Sequence, residues 1–583
     1  EDPDQSRAYI SNSDVVAAGA LSVTTMSNAD IDSEIKNAAL STSVTLDSST
    51  SISVAPVISL NRISTDVAAF IDGVDNLTVS GGDLTVLANS RSDIVSVVTA
   101  TSVAISASLS SSKSVSVGVS ISRNDIRNGM QAYIRNAGGA VPVIVSNGNV
   151  VVRATESADI DATAVAASVA LSAGVGSSPA FSGGGAVAFN IILGTANAFI
   201  DSSDLGTDAN RVGGVDIDAS SDSTIDALIA AASATVSFGT TTGVGVSLGL
   251  ALARNFIGYQ PGDSSLPDAT YSSDNDATTL MANQTVQMAS GPNIGERYQY
   301  LGETITDGDE NVDGRQSIDL ATQNYQDNTL WEQLGLTPSS NKIMAYILDS
   351  SIYASGSITA DAVARQGIEA IVIAGSAALS GGGTTGVAIS GAGVFSQNKL
   401  NSDVTAYMSG DGANGIHASS IRLHADDYSS INSVAGAASV AATIGGTTGV
   451  SVSIGLSIAL NEISGNVAAY IVDADTGVTT ASGNVDISAI THGADGLTVT
   501  ATELTNAGLN YTLLNDAAEA DQDDLDTNNT NEANDDAKND AVILGNIRAL
   551  FNSKGITLAE FDTVGTAAKY SSTCLLYTSP SPR

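Results

Sequence analysis

Asn61-Arg62-Ile63-Ser64-Thr65-Asp66-Val67-Ala68-Ala69-Phe70-Ile71 is one copy of a signature that recurs along the chain: an Asn, a few polar residues, then Ala, an aromatic and an aliphatic residue. It returns as Asn124 with Ala132-Tyr133-Ile134, as Asn190 with Ala198-Phe199-Ile200, as Asn398 with Ala406-Tyr407-Met408, and as Asn461 with Ala469-Tyr470-Ile471. The aromatic positions are Tyr9, Phe70, Tyr133, Phe199, Tyr346, Tyr407 and Tyr470, spaced by 61, 63, 66, 147, 61 and 63 residues. The long spacing marks a split repeat. Asn255 ends one half, Ala345-Tyr346-Ile347 resumes the other, and residues 260–341 are an insertion.

Outside the signature each unit keeps one order. A polar turn follows the aromatic, then an alternating segment such as Gly148-Asn-Val-Val-Val-Arg-Ala154 or Gly483-Asn-Val-Asp-Ile-Ser-Ala489. Next come a Ser/Ala/Asp stretch, an Ala/Ser/Val run and a Gly/Thr turn, Gly-Thr-Thr-Gly at 383–386 and 446–449. Period-two alternation is the pattern of a half-buried strand, and Gly supplies positive φ at turns. The reading is all-β: tandem repeats of about 63 residues stacked as an elongated β-solenoid, a parallel β-helix. About 21 residues per coil would give three coils per repeat and a rod on the order of 100 Å. Val, Ile and Leu, with many Ala and Gly, are expected to point inward. The Gly-rich turns also fit an antiparallel hairpin, so a string of β-sandwich or hairpin-stacked units is the alternative. The expected organisation is a first array over 1–259, the acidic, loop-rich insertion at 260–341 and a second array over 342–514. An acidic linker at 515–540 and a short helical segment at 541–573 follow. The segment 574–583 differs in composition from the rest and resembles a translated adaptor, a sequence artefact.

Composition narrows the function. Of 583 residues, 22 are Lys or Arg and 62 are Asp or Glu, a net charge of −40. Bulk attraction to nucleic acid or to an anionic membrane is thereby excluded. No run of about 18 apolar residues suggests a transmembrane helix. The single cysteine, Cys574, lies in the adaptor-like segment, so no disulfide framework is expected.

The signature with its Gly/Ala/Ser/Val alternation resembles the repeat regions of very large bacterial surface proteins, the filamentous-haemagglutinin-like and leukotoxin-type filamentous adhesins. The resemblance spans residues 1–500 apart from the insertion. It implies an extracellular or outer-membrane-associated stalk, joined to flanking repeats of the same polypeptide, that supports attachment to a glycan or protein on a host or neighbouring cell.

Candidate sites are few. In the insertion, Asp307, Asp309, Asn311, Asp313 and Asp319 supply alternating hard oxygens of the kind Ca2+ takes. The pattern departs from an EF-hand loop, with Leu320 where the twelfth-position Glu belongs. A solvated acidic turn is the other reading. Asn61, Asn124, Asn190, Asn255, Asn398 and Asn461 are expected to form a structural ladder at stacked corners, because Asn tolerates left-handed backbone and satisfies turn groups. The aromatics are expected to plug the core or stack in a file, with a carbohydrate platform as the functional alternative. His417, His424 and His492 make no zinc or triad spacing. No constellation suggests an enzyme; a polysaccharide-processing β-helix would need a carboxylate or basic cluster on one face.

Overall fold

A computed structural model describes residues 3–492, except 140, 147 and parts of the insertion between 262 and 340. The described residues form strands and no helix. The architecture is a parallel β-solenoid, so the antiparallel alternative is excluded for the repeats. Each repeat is one coil rather than three. Asn61 pairs with Asn124, Asn124 with Asn190, Asn190 with Asn255, Asn255 with Asn398 and Asn398 with Asn461. The 21-residue coil fails because Ala, Ser and Thr alternate without interruption through very long strands.

A coil has two long sides and one short one. The outgoing sheet stacks Leu21–Thr45, Leu84–Ser108, Val150–Gly174, Val215–Gly239 and Ile358–Gly382, then Ile421–Asp427 with Ser430–Gly445. The returning sheet stacks Ser49–Val74, Ser112–Ala137, Ser177–Asp201, Thr242–Ile257 with Asn341–Leu348, Thr385–Ser409 and Thr448–Val472. Short strands such as Leu77–Val79 and Ser351–Tyr353 close the third side. A strand of 25 residues reaches roughly 80 Å, whereas each coil adds about 4.8 Å to the stack.

Near the short side the coil is three-sided and filled conventionally, by Val67, Ile71, Leu77, Val79, Leu84 and Val86. Farther out the two long sheets lie face to face as a thin blade. There some of the expected inward Val and Ile remain, such as Val57, Val98 and Ile229, but many inward places hold Ser or Ala while larger apolar residues face out. On Ser49–Val74, Ser51, Ser53, Ala55 and Ser59 point in, and Ile52, Val54, Ile58 and Leu60 point out. Backbone proximity is the cause. A Cβ on Gly118 would sit 2.7 Å from the Ala167 carbonyl, and one on Gly184 would sit 2.4 Å from that of Ala232. At these closest positions only Gly, Ala and Ser fit, and Val57 and Val98 pack where there is more room. The hydroxyls pair across the gap fourteen residues apart: Ser102 with Ser116, Ser168 with Ser182, Ser233 with Ser247 and Ser376 with Ser390, at 2.9, 2.5, 2.7 and 2.5 Å. These pairs satisfy groups whose burial would otherwise be costly.

The insertion leaves the returning sheet after Gly258 and rejoins it at Asn341. Residues 493–583, which include the expected linker, helical segment and adaptor-like end, lie outside the described residues.

Candidate functional site: the stacked side-chain files

The six asparagines lie inside strands, facing inward, rather than at corners. Asn124, Asn190, Asn255 and Asn398 are fully buried. Each Nδ2 donates to the Oδ1 of the next coil's Asn, at 2.8, 2.8, 2.8, 2.7 and 2.7 Å from Asn61 to Asn461. In three coils the second amide hydrogen goes to the Ser two residues earlier, as from Asn124 to Ser122 at 3.2 Å. The left-handed corner belongs to another column, three residues past the aromatic: Asn12, Gly73, Asn136, Ser202, Asp349, Gly410 and Asp473, with φ between 44° and 69°. Asn, Asp and Gly are the residue types that accept this backbone. Asn12, Asn136, Asp349 and Asp473 carry that signal in the sequence, at a fixed distance from the aromatic.

The aromatics form one continuous file on the outer face of the returning sheet. Successive rings from Tyr9 to Tyr470 stack at 4.8–5.1 Å with interplanar angles of 3–12°. The spacing is that of the strands, so register alone produces the stack. It also decides what the file can do. Both faces of each inner ring are covered by its neighbours in the file, and only edges are presented. A sugar stacks on an aromatic face, and within the file only Tyr9 and Tyr470 keep a face that no file ring covers. Burial pushes the phenol of Tyr407 up to about 12 and raises Tyr133 as well. The Arg135 guanidinium lies 5.1 Å from the Tyr133 ring centroid and pairs with Asp72 at 2.6 Å, holding the Asp72 carboxyl below its ordinary range.

The insertion carries its own small core, in which Tyr300, Tyr325 and Trp331 pack together around Leu280, Val286 and Leu320. Its antiparallel strands include Thr285–Gln287, Arg297–Tyr300 and Trp331–Leu334. The root is polar: Tyr259 OH donates to Glu462 Oε1 or lies against Ser464 Oγ, each at 2.9 Å, and Lys399 pairs with Glu462 at 3.0 Å. Of the proposed calcium ligands, Asp307, Asp309, Asn311 and Asp313 lie outside the described residues. Asp319 is described, and its Oδ1 accepts the Ala321 amide at 2.9 Å.

Charged groups are arranged in rows too. On the outer face of the outgoing sheet Asp30, Asp93 and Asp159 sit on adjacent strands, as do Asp161, Asp226 and Glu369. Burial first, then neighbouring carboxylates, pushes Asp159 and Asp226 up. Among the described residues no three His, Cys, Asp or Glu side chains are gathered to hold a metal. His417 stacks on Tyr353, and His492 stacks on Tyr428 and contacts Asp426 at 3.0 Å, so these two histidines also belong to inter-coil contacts.

One carboxylate stands apart. Glu156 is fully buried in a polar row between the three-sided core and the blade. Asn128 Nδ2 donates to its Oε1 at 3.1 Å, and the hydroxyls of Ser221 and Ser223 donate to Oε2 at 2.5 and 3.2 Å. Loss of solvent outweighs these donors and raises its pKa. Nothing in the sequence distinguished Glu156, because the repeat puts Ser at the equivalent positions Ser90 and Ser221.

The chain matches no protein-family model, no curated protein and no solved structure.

Proposed function

We propose that this chain is a non-enzymatic stalk segment of a secreted or surface-anchored bacterial adhesin. The observation that carries the reading is where the repeated side chains direct their bonds. The asparagines bond the coils above and below, and the aromatics stack on the same neighbours. A residue column committed in this way resists separation of coils and is not free to process a substrate. The insertion, with its own aromatic core outside the stack, is the part suited to contact a glycan or protein on another cell, with Ca2+ as its candidate cofactor.

Single-molecule pulling of the full chain tests the stalk. Release of one coil at a time should lengthen the tether by about 200 Å, the extended length of some 63 residues. Smooth extension without steps would overturn the reading. Beads coated with the chain test attachment in calcium and in chelator. Loss of cell binding when residues 259–340 are deleted would place recognition in the insertion.

A further inference from the structure

The blade leaves many of its larger side chains on the outside. On the returning sheet the outward rows run through alternate residues 50–58 and their partners on the next five strands. In a chain of net charge −40, Lys113 is the one charged residue in those rows. The rest are Val, Ile, Leu, Phe, Pro and Gly, apart from Thr50. Ile52, Leu250 and Ile454 are 60%, 61% and 61% exposed. Five rows along the strands and six strands across cover on the order of 800 Å2. That exceeds the apolar patch of a typical monomer and equals one partner's share of a stable interface.

We propose that this face packs against the same face of a second copy of the chain. The inference is independent of the stalk reading. Its relief is self-complementary. Gly183 and Gly185 leave a groove on Ser177–Asp201, and a Cβ on Gly183 would meet nothing within 4 Å. The adjoining strand carries Leu248 and Leu250 in register with those glycines. A two-fold axis lying between the faces, along the strands and midway between these two, places each copy's Leu248 and Leu250 over the other's groove. The same axis superposes all six strands of the patch, three on each side. A bilayer is the other apolar environment of this width. It suits the face less well, because a fluid hydrocarbon surface gains nothing from the Leu248/Leu250 ridge and the Gly183/Gly185 groove, which a second copy matches.

Sedimentation equilibrium of the full chain is the test. At about 10 μM and moderate salt the wild type should be a dimer, and salt should strengthen it by screening the net negative charge. Leu248→Asp should weaken the dimer at least about tenfold, and Gly183→Leu, which fills the groove, should do the same. Leu40→Asp, on the exposed face of the opposite sheet, should leave it unchanged. Melting curves identify any variant that is unfolded, and the other groove variant then decides. A wild type that stays monomeric in high salt overturns the proposal. So do variants that dimerise as well as the wild type, and so does a monomer that floats with phosphatidylcholine vesicles, which would assign the face to lipid.

Discussion

At the residue scale the molecule depends on side chains that have no partner except their own copies. Asn190 is the clearest case, since it accepts from Asn124 and donates to Asn255 while fully buried. Asn190→Ala strands a donor on one side and an acceptor on the other. Denaturant unfolding should register a loss of about 2–4 kcal/mol, against about 1 kcal/mol or less for Asn61→Ala at the part-exposed end. Glu156 offers a test in pH. A carboxyl with a raised folded-state pKa stabilises the fold below its ordinary value of 4.5 and loses that contribution as pH rises through the raised value. The stability difference between the wild type and Glu156→Gln should therefore shift against the wild type as pH climbs from about 4.5. A difference independent of pH would show that Glu156 does not titrate there. The Asn columns and the aromatic columns could be picked out of the sequence because type and spacing both repeat. Glu156 could not, because it occurs in one coil only.

At the scale of the strand, alternation in the sequence identified β-structure but not which alternate faces inward. The usual inference puts the larger apolar residues inside, and over the tightest part of the blade, as at Ser51, Ile52, Ser53 and Val54, it fails. What decides is the distance between sheets, a property of the stack that no single strand encodes. Gly183 and Gly184 test this one residue apart. Gly184→Ala drives a methyl group into the Ala232 carbonyl and should cost about 1–3 kcal/mol. Gly183→Ala points into open space within one chain and, measured at a concentration low enough to keep the chain monomeric, should be neutral or stabilise by up to about 1 kcal/mol, because the unfolded chain loses freedom. Equal melting temperatures for the two would contradict the tight blade. Coil length follows the same logic: 63 divides by the coil length of shorter solenoids, but no Gly or Pro interrupts Val150–Gly174 before its last residue.

At the scale of the molecule the insertion interrupts a strand rather than a loop. Gly258 and Asn341 occupy consecutive places in the returning sheet, and the Asn255–Asn398 hydrogen bond beside the break is 2.7 Å, as in intact coils. The neighbouring strands thus hold the two halves in register without a peptide bond between them. Covalent continuity at that point is dispensable, which makes the chain a natural split protein. A protease cut within the insertion should leave the two fragments co-eluting on gel filtration and melting within a few degrees of the uncut chain; fragments that separate without denaturant would refute this. Expressed apart, residues 1–258 and 341–583 should find each other, and whatever is fused to the two new ends would be brought together on one side of the solenoid.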